Sequence, residues 1–434
     1  MPVSVNGVAR MLACLSLAFG ALAEEQEWSR FRGPNGDGIS DAATMPVTWT
    51  DRDYNWKVAL PGLGHASPVV WGDRIFLTCA DAETARRTVL CLAASDGRTL
   101  WRRDYPSETY QQHRSNSYAT ATPAVDADGV IVTWTSPEEV VLLALDLDGG
   151  PTWRRNLGTF VGTHGSGSSP ILVGDLVVMA SDQGDPALLA RLMGREPPDT
   201  PPGKSYLIAV DRKTGQTRWQ VPRRTTLAAY STPCVHRCDD GRSELIFTST
   251  SHGITAVDPA TGKINWEVAD IFRDRCVGSP VSAAGLAIAG YGHGIRGSLV
   301  VAVRGGSGAE GKEPKIMYEV TTSVPLVPTP LVQDGRLYLW ADDGVVTCLD
   351  VSTGEVIWRE RVGGSFYGSP VCVASRLYCI SREGVVVVLA ASEKFELLAR
   401  VPLGEPSCAT PAVSAGVMYL KTDAHLFSLG GKKP

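Results

Sequence analysis

A Ser-Pro or Thr-Pro dipeptide recurs along this chain at Ser67, Thr122, Ser169, Thr232, Ser279, Thr329, Ser369 and Thr410, at intervals of 55, 47, 63, 47, 50, 40 and 41 residues. Self-similarity of this length marks a chain built from supersecondary units that cannot bury their apolar faces alone. The sixth unit shows what the unit is. "TPLVQDGRLYLW" is two short apolar runs around Asp334-Gly335, a two-residue hairpin signal. "GVVTCLD" supplies a third strand, and "GEVIW" a fourth after the turn Ser352-Thr353-Gly354. No segment beyond residue 23 shows a sustained helical period. Four-stranded antiparallel units at this spacing predict an all-β fold, an eight-bladed β-propeller.

A second recurrence fills in the turn. Asp211, Asp258 and Asp350 each stand eight residues before a tryptophan, Trp219, Trp266 and Trp358, with Thr-Gly between them. Looser versions end at Trp101 and Trp153. The Asp and Thr side chains suit local backbone bonding, and the glycine suits a positive φ. A broad ring at the end of an outer strand can cover the seam between blades, so these tryptophans are read as structural docking residues.

Eight signals imply eight blades, yet the last unit, "CATPAVSAGVMYLKTDAHLFSL", offers only three strands. "YNWKVAL", Tyr54 to Leu60, carries Trp56 and directly precedes the first inner strand. It is expected to complete the eighth blade and close the ring, which removes an exposed edge. The resulting division is residues 1–23 as a signal peptide, 24–52 as an N-terminal extension and 53–430 as the propeller. The signal is Arg10 ahead of the apolar run "MLACLSLAFGALA", closed by Ala21-Leu22-Ala23. That run is too short to span a bilayer, so a periplasmic or secreted protein cleaved after Ala23 is expected, with no transmembrane segment.

The formal net charge is −5 and basic residues do not run together, which argues against nucleic acid or an anionic membrane as a partner. Nine cysteines follow the leader, and Cys79, Cys91, Cys348, Cys372 and Cys379 fall within apolar strand patterns. Small buried hydrophobes are the reading for these, with one or two disulfides left open.

The pattern Ala-x-Asp-x-x-Thr-Gly-x-x-x-Trp, present at Ala209–Trp219 and Ala256–Trp266, resembles the tryptophan-docking repeat of the PQQ-like β-propeller superfamily. Nearer still is the resemblance to exported bacterial PQQ-binding-like repeat proteins, carried by "WSRFRGPNGDG" at Trp28–Gly38 and by "GHASP", "HRSNSYATATP" and "HGSGSSP". The superfamily includes quinoprotein dehydrogenases and the propeller lipoprotein of the outer-membrane assembly machine. The resemblance implies the fold; function must be argued from the site.

Quinoprotein chemistry would ask for a calcium site, and the resemblance adds an adjacent cysteine pair. The chain has no Cys-Cys and no Cys-x-x-Cys-His. "DLDGG" at Asp146 lacks the closing Glu of a calcium loop, since its twelfth position is Leu157. Cys234-Val-His236-Arg-Cys238 holds three soft ligands but no evident fourth. No cofactor, metal or catalytic residue is therefore assigned.

Topology says more. The long connections, including those starting at Arg102, Arg154, Gln183 and Gly290, are B–C or D–A links on one face, while Arg304–Pro314 decorates the other. Long loops on one rigid face commonly carry binding. Ahead of the inner strands on that face stand His65, His113, Asn116, Tyr118, His164, Tyr230, Arg275 and Tyr367, with Tyr291 and His293 in a B–C loop. These ten form the candidate ligand-binding set. The expected function is a non-catalytic binding or scaffold propeller, monomeric, engaging a protein or glycan of the cell envelope or a polar small molecule. A PQQ-dependent oxidoreductase and a polysaccharide hydrolase or lyase acting through the histidine and tyrosine cluster are the alternatives; for the latter Glu108 and Asp185 lie in the relevant loops, but the sequence shows no obvious acidic pair.

Overall fold

Eight four-stranded antiparallel sheets succeed one another along the chain in a computed structural model. It describes residues 27–431 except 163, 198, 200–201, 225, 239, 294–296 and 307–312. Blade 6 is typical, with strands Leu331–Gln333, Arg336–Trp340, Val345–Asp350 and Val356–Arg361 running from the channel outward. The two middle strands of a blade are covered on both faces by its neighbours. In blade 1 they are Arg74–Ala80 and Arg87–Ala93, buried almost throughout, which is why they read as apolar runs without alternation. The outer strand of blade 8 is Tyr54–Ala59, paired antiparallel with His425–Gly430, so the ring is sealed by a strand from the start of the chain.

The recurring tryptophan caps the next blade. Trp56, Trp101, Trp153 and Trp219 lay their rings against Gly97, Gly149, Gly215 and Gly262, the turn glycines of blades 1 to 4. Their indole N–H groups donate to carbonyls in those same turns, at Ala94, Leu147, Arg212 and Pro259, over 2.8–3.0 Å. Trp358 donates to Ser392 in blade 7 at 3.1 Å. Trp266 faces Gly305 but donates to the buried Glu244 carboxylate of its own blade at 2.8 Å. In blade 5 a tyrosine does the work, the Tyr318 hydroxyl donating to Val351 O at 2.9 Å. A β-bulge lies beside each docking ring; in blade 6 it falls between Cys348 and Leu349. The extra residue turns the ring toward the neighbouring blade.

The turn itself is built by the aspartate. Asp350 Oδ1 accepts from the amides of Ser352 and Thr353 and from the Thr353 hydroxyl, and Asp211 and Asp258 repeat this on Thr214 and Thr261. Those bonds favour the carboxylate and hold all three carboxyls' turns in one shape, with Asp350 and Asp211 below the usual range for that reason. Two glycines of blade 6 separate backbone strain from packing. Gly335 and Gly354 both have φ of 75°, but a Cβ at Gly335 meets nothing within 4 Å, whereas one at Gly354 lies 2.5 Å from the Tyr318 ring. Gly335→Ala should cost about 1–2 kcal/mol from left-handed strain alone. Gly354→Ala should cost about 1–3 kcal/mol more, from overpacking. Equal losses in chemical denaturation would show that ring-on-turn packing adds nothing.

The Ser/Thr-Pro signal is explained at the channel. The Ser67 amide donates to Thr122 Oγ1, Thr122 to Ser169 Oγ, Thr232 to Ser279, Ser279 to Thr329, Thr329 to Ser369, Ser369 to Thr410, and Thr410 back to Ser67, all over 2.9–3.1 Å. A girdle of hydroxyls thus links blades head to tail and crosses the seam where the eighth blade meets the first.

Residues 28–40 thread the channel beneath this girdle. Trp28 bridges to Val70 of blade 1, and Ser29 O accepts from Val125 of blade 2. Arg30 donates to Pro233 O and Asn35 to Val235 O in blade 4. Ile39–Ser40 adds a parallel fifth strand to the inner edge of blade 7, at Cys372 and Val373. Arg32, 0% exposed, donates to the carbonyls of Gly36, Asp37 and Pro370. Burial lowers both Arg30 and Arg32 to about 10. Residues 28–40, within the stretch expected as an extension, are therefore a plug inside the ring.

One element departs from the expectation of no helix: Pro186–Leu192 is a short helix in the B–C link of blade 3. Asp185 caps it, accepting from the amides of Ala187 and Leu188, and Pro186 takes the first turn, where its missing N–H costs nothing. No helix among the described residues is long and apolar enough to cross a membrane. The leader and residues 307–312 of the opposite-face loop lie outside the described residues.

Candidate functional site

The channel opens on the face of the B–C and D–A links as a cavity of about 350 Å³. Its waist is the hydroxyl girdle, and Phe31 of the plug reaches it from below. His65, His113, Asn116, His164, Tyr230, Arg275 and Tyr367 from the candidate set all line it. The D–A links bring them together because each ends at the channel, with these residues two to nine positions before its Ser/Thr-Pro.

Within the cavity, the His113 and His164 rings stack with centroids 4.5 Å apart. Asn116 holds the His164 loop by donating to His164 O at 2.5 Å and Ser166 O at 3.2 Å. Burial, with Lys421 and Arg382 nearby, lowers His65 to about 4, so its imidazole is neutral near pH 7. Tyr230 is pushed up to about 12 by burial, against the opposing pull of Arg275. Arg275 pairs with Asp274 at 3.4 Å, and the Arg382 guanidinium sits 4.4 Å over the Tyr367 ring.

Three members of the set stand elsewhere. Tyr118 turns away from the cavity to Tyr110, whose carbonyl accepts its hydroxyl at 3.1 Å, and to Arg87 over its ring. Tyr291 is buried against Phe272 at 5.7 Å. His293 ends the strand Leu286–His293, and its side chain lies outside the described residues.

Sequence reasoning missed the other wall. Leu189, Leu192 and Met193 of the helical insertion face Gln111, Gln112 and Arg114 across a groove of about 490 Å³ that shares His113, His164, Asp274 and Arg275 with the cavity. Leu192 and Met193 are 46% and 49% exposed. The stretch Asp185-Pro186 followed by Ala-Leu-Leu-Ala-Arg-Leu carried the helix signal, within a single turn or two that no periodicity window resolves.

Asp185 is spent on the helix cap and Asp146 on the amides of Asp148 and Gly150 in its turn. His236 Nδ1 lies 2.9 Å from Ser282 Oγ, and Cys234 is buried beside the plug arginines. Among the described residues no group of three or more His, Cys, Asp or Glu could hold a metal. Asp274, the one carboxylate among the described residues lining the cavity, is tied to Arg275. Calcium takes six to eight oxygens with carboxylates among them, so this donor set does not fit a calcium-held quinone.

Comparison with known proteins now bears on the reading. A family model described as outer membrane protein assembly factor BamB matches overlapping segments 41–197, 89–303, 252–365, 296–395 and 342–429. The chain is 25% identical over 225 residues to BamB of Yersinia pestis, covering 50% of this chain and 54% of that protein. It is 26% identical over 230 residues to BamB of Moranella endobia (strain PCIT), covering 51% and 52%. The chain thus spans about half the length of the curated relatives it matches. Among solved structures, BamB from Moraxella catarrhalis aligns over 86% of this chain and 98% of that one, with a TM-score of 0.59 at 17% identity. Quinohemoprotein alcohol dehydrogenase from Comamonas testosteroni covers 94% and 81%, at 0.64 and 13%. At such identities these structures share the fold alone. With family matches running from residue 41 to residue 429, the chain belongs to the PQQ-like β-propeller repeat family described by the outer membrane protein assembly factor BamB.

Proposed function

We propose that the protein is a non-catalytic binding scaffold of the cell envelope that docks a partner protein on the face carrying the B–C and D–A links. The observation that carries this reading is the continuity of the channel cavity with the apolar-walled groove on that face, through His113, His164, Asp274 and Arg275. An apolar anchor beside convergent polar groups is the composition of a binding site. The BamB relatives, whose name refers to outer-membrane assembly, support an envelope partner over a soluble substrate.

A photo-reactive residue at Arg114, beside the groove, should give one discrete adduct in producing cells. The same probe at Ser352, in a turn of the opposite face, should give none. Adding His113→Ala with Leu192→Asp should weaken the Arg114 adduct tenfold or more, about 1.4 kcal/mol. Both side chains are exposed, so melting should stay near that of the unmodified protein. An equal adduct from Ser352, or one indifferent to the double substitution, would place docking on another surface.

A further inference from the structure

The girdle has chemistry left over. Seven of its hydroxyl oxygens each accept a backbone amide from the preceding blade, Thr232 being the eighth residue of the ring. All eight residues are at least nine-tenths buried, and all line the cavity. Among the described residues, no protein acceptor meets any of their eight hydroxyl protons. An amide donating into a hydroxyl polarises it, so each O–H becomes a better donor to whatever lies beyond it. Buried donors left without acceptors are costly, and a ring of them selects for acceptor-rich occupants.

The surrounding charge points the same way. Phe31, reaching the cavity from below, is flanked in the plug by Arg30 and Arg32, which are 4% and 0% exposed. Arg275 lines the wall, while Lys421 and Arg382 lie near His65. Of the carboxylates, Asp274 is tied to Arg275, and Asp342 accepts the amides of Leu326 and Val327 at 2.7 and 3.3 Å. Asp37 lies in the plug beside the two arginines, and Asp423 near Lys421. Arg30, Arg32 and Lys421 stand behind the lining, each donating to backbone carbonyls, and their charge favours an anion over a cation in the channel.

We infer that the channel is a receptor for an oxyanion group, a carboxylate or phosphate seated in the hydroxyl girdle above Phe31. This rests on the docking-face reading and names the chemical group that enters that face. A neutral polyol, which brings as many donors as acceptors, would leave the girdle's protons only partly met. The oxyanion can be the terminal carboxylate of a partner chain or a free small anion, since both present the same acceptors.

Calorimetric titration of the purified protein at low ionic strength and pH 7 tests this with glutarate, inorganic phosphate, glucitol, tetraglycine and tetraglycine amide. Glutarate or phosphate should bind with a Kd of about 1 mM or tighter, and glucitol should give no heat. Tetraglycine binding that disappears on amidation would assign a chain terminus; binding by phosphate and glutarate alone would assign a free anion. Phe31→Glu sets a negative charge at the cavity's lower end and should raise the Kd tenfold or more, whereas Phe31→Leu should leave it unchanged. The inference falls if no anion binds, if glucitol matches glutarate, or if Phe31→Glu binds as well as Phe31→Leu with both variants melting normally. The two readings fail separately. Intact Arg114 adducts without anion binding would remove the oxyanion and keep the docking face, and the reverse result would remove the docking face.

Discussion

A chain lacking residues 53–60 should lose its cooperative melting transition and aggregate. Among the described residues the strand Tyr54–Ala59 is what covers the edge His425–Gly430, and an uncovered strand edge templates pairing with other chains. Its contacts run both ways across the seam. Tyr54 packs 4.9 Å from Phe427 within blade 8, and the Trp56 indole donates to Ala94 O of blade 1 at 3.0 Å. Leu60 N donates to Ala424 O, and Lys57 pairs with Glu405. Truncating one well-packed tryptophan alone costs about 3–5 kcal/mol, which approaches the whole stability of many domains. Because the strand belongs spatially to the last blade, the same eight residues appended through a turn after Gly431 should restore melting. A deletion variant that melts like the intact protein, or a transposed strand that restores nothing, would contradict this closure.

The second large effect is expected at the plug. Arg32→Ala removes three hydrogen bonds to the carbonyls of Gly36, Asp37 and Pro370 inside a buried channel. Each buried acceptor left without a donor costs about 1–3 kcal/mol, and water entering the channel returns part of it. A net loss of about 2–4 kcal/mol in chemical denaturation is the expected outcome. Arg32→Lys should not rescue it, since one ammonium cannot span carbonyls that a planar guanidinium reaches together. Limited proteolysis should then cut near residues 28–40 before the ring unfolds. Wild-type stability in Arg32→Lys would mean that charge alone, without the fork, holds the plug.

What the sequence made legible follows from distance along the chain. The blade is a local object, so strands, hairpin tips and the Asp-x-x-Thr-Gly turns could be read within windows of a dozen residues. The closing strand was legible too, because an incomplete last unit and a spare tryptophan strand imply each other. The girdle was visible only as a spacing, since six of its links join residues 40 to 55 apart and the seventh, Thr410 to Ser67, joins residues 343 apart. In sequence the plug is a motif without a place, because Arg30 meets Pro233 across 203 residues. Tyr318 was overlooked because a phenol there performs what an indole performs elsewhere. In the candidate site, seven residues converge because every D–A link ends at the channel. Tyr118 escapes because Arg87 and the Tyr110 ring offer its phenol a cation and an edge contact away from the opening.

The girdle also makes each blade resemble a subunit of a cyclic oligomer. At seven of its junctions one unit offers an amide and the next a hydroxyl, a head-to-tail interface whose last link is made only when the circle closes. Gaining or losing one whole unit by duplication preserves that matching at both new junctions, whereas a partial unit breaks it. The number of blades is then set by the rotation between neighbours rather than by any single residue. The first and last blades are obliged to meet wherever the circle happens to be cut.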